Sequence, residues 1–262
     1  MSQSKVPILT YHSIDSSGSV VSTDRETFRR QMQTLSAAGY RTVSLNELSE
    51  CVHQQRSLPG KAVVIAFDDG YGNVYREAFP ILAEFGFQAT VFLITGYCGN
   101  SNHWPGDWAS RKGETLLTWA EVKELHQHGF EFGSHTSTHP DLTKLPLAQA
   151  EIEIKQSQTA IQDRLGSEVT LFAYPYGSYN SEIKKLAQEH FRAACSTRLG
   201  KVDLTSDLFS LKRVDAYYLS SQKLFDRLLG ESLDWYLTAR QALRDVKGLG
   251  LVVSGSAGER PA

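Results

Sequence analysis

Cysteine is scarce in this chain, with three residues among 262, at positions 51, 98 and 195. An odd, widely spaced set without a CxxC pair argues against a disulfide framework and against a cysteine-ligated zinc centre, and it fits a reducing compartment. No run of eighteen apolar residues occurs, so no transmembrane helix is expected. The opening stretch MSQSKVPILTYHSID has too short an apolar core for a signal peptide, which makes a cytoplasmic location the expectation from the sequence as it stands. Neither sign of charge is in excess. Twenty-seven Lys and Arg against twenty-nine Asp and Glu leave a formal charge of -2, and no basic stretch is long enough to track a phosphate backbone, which argues against nucleic acid as a partner. Phosphate-cradling turns of the GxGxxG or GxxxxGK[ST] kind are missing, and with them the main reason to expect a nucleotide-binding open sheet.

What is present is an alternation. Apolar runs such as KAVVIAF (61–67), QATVFLIT (88–95) and VTLFAYP (169–175) read as strands buried on both faces. Between them lie amphipathic segments: 23–39, opened by Thr23 and Glu26 in capping-box spacing; 44–57, opened by Ser44 and Glu47; 73–86; 118–129; 147–165; and 181–191. Further strands are expected at 6–9, 40–45, 130–134, 192–197 and 209–217. Seven or eight strand–helix units in one chain of this length predict a single-domain α/β protein with a closed or nearly closed barrel. Its core would span about 6–217, with a helical extension at 221–247 and a frayed tail at 250–262. The Gly-, Asn- and Trp-containing stretch 96–116 breaks the rhythm and reads as a long rim loop.

In such a barrel, chemistry collects at the C-terminal ends of strands. The strand VVIAF ends in Asp68-Asp69-Gly70, two adjacent carboxylates that are costly together unless a cation or shared proton compensates them, although one could simply cap a helix. The strand FEFGS ends in His135-Thr136-Ser137-Thr138-His139. Two histidines four apart would face the same way on a helical turn and could chelate one metal; they could equally be surface residues. Two imidazoles and a carboxylate with an open position form the ligand set of a hydrolytic zinc or related divalent-metal site, and the spare carboxylate could then act as a general base. The first strand ends in Tyr11-His12, where a strand-capping histidine is the plainest reading.

The motifs AFDDG (66–70), SHTSTHPDL (134–142) and FAYPYGSYN (172–180), in that order, resemble the polysaccharide deacetylase family, also called the NodB-homology or family 4 carbohydrate esterase group. The resemblance implies an irregular (β/α)7 barrel. It implies a metal held by Asp69, His135 and His139, most simply Zn²⁺, with Co²⁺ or Ni²⁺ as alternatives, and Asp68 as catalytic base. Pro175 and Tyr176 would line the substrate groove, the Tyr176 backbone N–H helping to hold a developing oxyanion. The implied reaction is removal of N-acetyl groups from hexosamine units of an N-acetylated poly-, oligo- or lipid-linked saccharide. Two alternatives remain: a hydrolase of small amides or formamides on the same site, and a carbohydrate-binding homologue that has lost catalysis.

The chain departs from the family pattern twice. Where many members carry an Arg that orients the catalytic Asp, this chain has Ala173; Arg213, at the end of the last strand, is the candidate to replace it, with a structural salt bridge as its other reading. The usual C-terminal leucine-histidine motif is absent, since no histidine follows His190. Members with a circularly permuted barrel carry a Tyr-His near the N-terminus instead, so His12 becomes the candidate general acid. Tyr71, Trp104, Trp108, Tyr174, Tyr176 and Tyr179 could stack on sugar faces, although packing is the commoner role for each one alone. The sequence carries no sign of oligomeric state.

Overall fold

The computed structural model describes residues 5–58, 60–104, 113–229 and 232–255. Strand β2 (Ala62–Phe67) shows why a barrel forms: all six of its residues are buried, so both of its faces need an apolar partner. Alternate side chains divide between two cores. Val63, Ile65 and Phe67 join an outer layer with helix residues such as Phe28, Met32 and Ile81. Val64 and Ala66 join an inner core with Ile8, Phe92, Leu171, Ala173, Ala193, Cys195 and Leu211. Leu45, Leu48 and Val52 belong to that inner core as well, so the helix that carries them plugs one end of the barrel.

The remaining barrel strands are β1 (Ile8–Tyr11), β3 (Thr90–Leu93), β4 (Glu131–Ser134), β5 (Leu171–Ala173), β6 (Ala193–Leu199) and β7 (Leu211–Asp215). All pairings among them are parallel and run in chain order; β1 closes the ring by pairing with β2 (Ile8 opposite Val64 through Tyr11 opposite Phe67) and with β7 (Leu9 opposite Val214). The protein is therefore a single-domain α/β fold built on a closed barrel of seven parallel strands. The strand expected at 40–45 shortens to Arg41–Thr42, beside the start of β2, because Ser44 leaves the sheet to cap the next helix.

Around the barrel run α1 (Arg25–Ala37), α2 (Leu45–His53), α3 (Phe79–Glu84), α4 (Trp119–Gln127), α5 (Leu147–Leu165), α6 (Ser181–His190), α7 (Gln222–Asp226) and α8 (Ser232–Gly255). Thr118 and Glu121 make a full capping box on α4, and Ser44 accepts from Glu47 N on α2. On α1 the cap is Asp24, one residue later than Thr23, because Thr23 is drawn into a short ribbon opposite Ile14. The segment 73–86, expected as one helix, opens with a wide π turn at Val74–Ala78 before α3. Pro80, which has no N–H to donate, stands two residues past that turn, and a wide turn is a known way to absorb a broken hydrogen-bond ladder. Helix α8 runs past the expected boundary, so residues 250–255 are helical; the rest of the expected tail, 256–262, lies outside the described residues. No helix among the described residues is long and apolar enough to cross a membrane.

Candidate active site

Past β2 the Asp68 N–H still donates to the carbonyl of Tyr11 at 3.0 Å, extending the ladder by one residue. Asp69 (φ 68°) and Gly70 (φ 71°) then both take the left-handed conformation, which Asp tolerates and which is open to Gly. A Cβ on Gly70 would meet Leu93 Cδ2 at 2.8 Å. The two carboxylates are both buried, and each meets different partners.

Asp68 meets Arg213. Nη1 donates to Oδ1 at 2.7 Å and Nη2 to Oδ2 at 2.8 Å, a bidentate pair with both side chains nearly sealed from solvent. The guanidinium is held from behind by its Nε, which donates to the Ser196 carbonyl at 2.8 Å. That carbonyl is available because of a register slip: Leu211 pairs with Cys195 and Arg213 with Leu199, so β6 spends two more residues than β7 over the same interval. Burial works against the Asp68 charge, but Arg213, with His135 and His12, outweighs it and holds the carboxyl well below the usual carboxylate range. Ala173, where the family Arg was expected, is fully buried in the inner core.

Asp69 meets the histidines. Its Oδ1 lies 3.4 Å from His135 Nε2 and 3.6 Å from His139 Nε2. His135 Nδ1 sits 2.8 Å from the Ala173 carbonyl; an acceptor there places the proton on Nδ1 and leaves the Nε2 lone pair facing Asp69. Burial opposes protonation of His135, but the Asp69 and Asp68 carboxylates prevail and raise its pKa. Burial and the neighbouring His135 push the pKa of His139 down to about 4, so its imidazole is neutral at neutral pH. The segment between them is not the helical turn expected from the spacing. Thr136 (φ 68°) and His139 (φ 62°) are left-handed, and Thr136 Oγ1 accepts the His139 N–H at 3.0 Å.

These three residues fit a divalent metal. Metal–ligand bonds of about 2.0–2.2 Å at tetrahedral angles separate neighbouring ligand atoms by about 3.3–3.6 Å, the spacing found around Asp69 Oδ1. One ligand atom from each lies within 4.8 Å of the others, and among the described residues no other group of three His, Cys, Asp or Glu is so arranged. The identity of an ion is not fixed by this donor set.

His12 follows β1, partly exposed, with Nε2 3.9 Å from Asp68 Oδ2. It stands beside Asp68, at the same end of the barrel. Asn73 fixes the segment after it, accepting from Ile14 N at 3.1 Å and donating to Ser13 Oγ at 2.7 Å. Pro175 and Tyr176 form a single turn after β5; Tyr176 is left-handed (φ 58°), its ring 4.6 Å from that of His139 and 44% exposed. Gly177 is required there, since a Cβ would fall 2.1 Å from Thr197 Oγ1.

Three of the six aromatic residues weighed for stacking on sugars do not face solvent. Tyr71, Trp104 and Tyr174 are buried, and Tyr179 stacks on Tyr174. Trp104 instead packs its ring 5.4 Å from that of His139, within a small apolar cluster with Tyr71, Ile94 and Leu116 that keeps the histidine dry. Trp108 lies outside the described residues. Sequence reasoning also missed Ser196 and Asn73. The first acts through its backbone and leaves no residue-type signal; the second stands five positions after Asp68, close enough to the DDG motif to have been suspected.

Residues 55–192 match the sequence profile described as polysaccharide deacetylase. The chain belongs to the polysaccharide deacetylase family. Within that family it is 33% identical over 211 residues to YxkH of Bacillus subtilis, covering 80% of this chain and 71% of that one. It is 28% identical over 219 residues to the poly-β-1,6-N-acetyl-D-glucosamine N-deacetylase of Staphylococcus epidermidis, again covering 80% and 71%. The structure of the Streptococcus pyogenes deacetylase PplD in complex with acetate superposes with a TM-score of 0.71 at 27% identity, over 82% of this chain and 93% of PplD. The DDG and HTSTH motifs of this family member thus sit together at one end of its barrel.

Proposed function

We propose that this polysaccharide deacetylase is a metal-dependent N-deacetylase that hydrolyses acetamido groups on hexosamine units of a saccharide, with poly-β-1,6-N-acetylglucosamine the first polymer to test. The observation that carries this reading is the meeting, at one buried strand-end cluster, of the Asp68–Arg213 pair with the Asp69, His135 and His139 set. The naming of the S. epidermidis relative and the acetate bound to PplD support the same chemistry. Asp69, His135 and His139 would hold the ion, Zn²⁺ first and Co²⁺ or Ni²⁺ as alternatives; when bound it supplies Lewis acidity that polarises a carbonyl and makes water more acidic.

The chain's own groups do the rest. Asp68, kept ionised by Arg213, takes a proton from the attacking water. Pro175 and Tyr176 shape the wall on the His139 side, where the half-exposed ring offers a face to a sugar. As the C–N bond breaks, the nitrogen needs a proton, because an amide anion is too basic to leave; His12 donates it, and the products are acetate and a free amine. The intact Asp68–Arg213 pair disfavours the carbohydrate-binding reading, since a binding protein has no use for a buried ionised base.

The test is acetate release by metal-stripped and reconstituted protein on poly-β-1,6-N-acetylglucosamine oligomers, chito-oligomers and small N-acyl amides. Deacetylation of an oligomer that depends on added metal supports the proposal. Full activity without metal, or turnover of small amides alone, overturns it.

A further inference from the structure

The loop that joins the two histidines is strained and needs an external hold. Thr136 and His139 both occupy the left-handed region, which is unfavourable for a β-branched residue in particular and persists only where neighbouring groups over-determine it. Part of the hold comes from the short turn after β3, where the N–H groups of Thr95 and Gly96 donate to the carbonyls of Thr136 (3.3 Å) and Ser137 (2.9 Å). The approach is so close that a Cβ on Gly96 would meet the Ser137 oxygen at 2.7 Å.

The other part comes from helix α5. Glu153 Oε2 accepts the backbone N–H groups of Ser137 (2.9 Å) and Thr138 (2.8 Å), and its Oε1 accepts the Thr138 hydroxyl (2.7 Å). One helical turn further on, buried Ser157 accepts from Ser134 Oγ at 2.9 Å, and Ser134 in turn receives the Thr136 N–H at 3.3 Å. Spacing of four places Glu153 and Ser157 on one face of α5, so a single helix grips the loop on both sides of Thr136. None of these contacts involves a ligand atom.

We propose that Glu153 is a positioning residue that presets the His135–His139 span, so that the metal-free protein already holds its ligands apart at binding distance. This rests on the reading of Asp69, His135 and His139 as metal ligands. Without Glu153, two loop amides lose their acceptor, and the ion must order the loop at the expense of its own binding.

The experiment is titration calorimetry of the folded metal-free protein with Zn²⁺. Wild type should bind one ion. Glu153→Ala should bind about 10–100-fold more weakly, the range typical for loss of a group that orients a ligand. Glu153→Gln, whose amide oxygen can still accept both N–H groups while its NH₂ donates to the Thr138 hydroxyl, should stay within about threefold of wild type. Glu153→Ala binding as tightly as wild type, or Glu153→Gln binding as weakly as Glu153→Ala, overturns the inference. Failure of wild type to bind any ion removes the metal reading itself, and the inference with it. Should Glu153→Ala not fold, amide exchange on metal-free wild type decides: protected Ser137 and Thr138 amides support the inference, and exchange at the rate of an open loop overturns it.

Discussion

Replacing Arg213 by Ala strips a buried carboxylate of its counter-ion. Asp68 would lose two charge-assisted hydrogen bonds, of 2.7 and 2.8 Å, at a buried position. Breaking such a buried pair from one side costs about 3–5 kcal/mol. For a domain of this size that lowers the melting temperature by roughly 6–20 °C. The pH dependence gives a sharper signature. In the wild type the folded Asp68 pKa is depressed, so its stabilisation is fully present above the unfolded carboxylate pKa of about 3.9 and is lost as pH falls through the folded value. In the variant, burial acts unopposed by Arg213 and moves the folded pKa upward, so the stability deficit should shrink as pH falls from 7 toward 4. If Asp68 is the base, the acidic limb of kcat/KM must move to higher pH as well. Arg213→Lys, which keeps the charge but not the fork, should fall in between. The assays are thermal melts across pH and a pH–rate profile, with Asp68→Asn completing a double-mutant cycle whose coupling should be about 1–3 kcal/mol. A variant that melts within about 2 °C of wild type with an unmoved acidic limb refutes the reasoning, because the pair would then be worth no more than a solvated ion pair.

The proposed division of labour between the two aspartates separates cleanly: Asp69→Ala and His135→Ala should abolish metal binding, whereas Asp68→Asn should keep the metal and lose about 10²–10⁴ in rate. Metal content by elemental analysis checks this, and loss of metal from Asp68→Asn would mean the roles are reversed. His12→Ala should keep fold and metal and lower kcat by about 10²–10³ on the amide, with a smaller loss on activated esters whose leaving groups need no proton. Equal losses on both substrates would make His12 a structural neighbour of Asp68.

The barrel was legible because its strands are apolar on both faces and its helices carry their own start signals; α5 was read at its observed bounds from periodicity alone. The DDG and HTSTH motifs were legible because carboxylates and imidazoles rarely share strand ends without a reason. Arg213 could be nominated from two facts, an Ala at 173 where many family members carry Arg and an arginine near the end of the last strand. What could not be read is backbone geometry. Nothing in the letters His-Thr-Ser-Thr-His signals that Thr136 will be left-handed, and their spacing of four suggested a helix instead. The two extra residues in β6 are equally silent, although they create the carbonyl that aims Arg213. For the aromatic residues packing was the commoner reading of each, and Trp104 and Tyr71 follow it: the chain just past the rim stretch folds back, the Leu117 N–H reaching the Gly70 carbonyl, and both rings are buried.

The way β1 closes the ring has a consequence for the order in which the molecule assembles. Asp69, His135 and His139 all follow β2 or β4, and the stretch that carries them precedes β7 in the chain. The guanidinium that Asp68 requires is supplied by β7, 145 residues later in the chain, on the far side of the closing strand. A growing chain therefore completes the segments that carry the imidazoles before the one that supplies the counter-ion of Asp68. Loop closure over such a distance is slow to form, and until it forms Asp68 stays solvated or protonated. Under the roles proposed above, hydrolytic competence would arrive last, with the closing of the seam, and an open barrel that had captured a metal ion would still be inert toward its substrate.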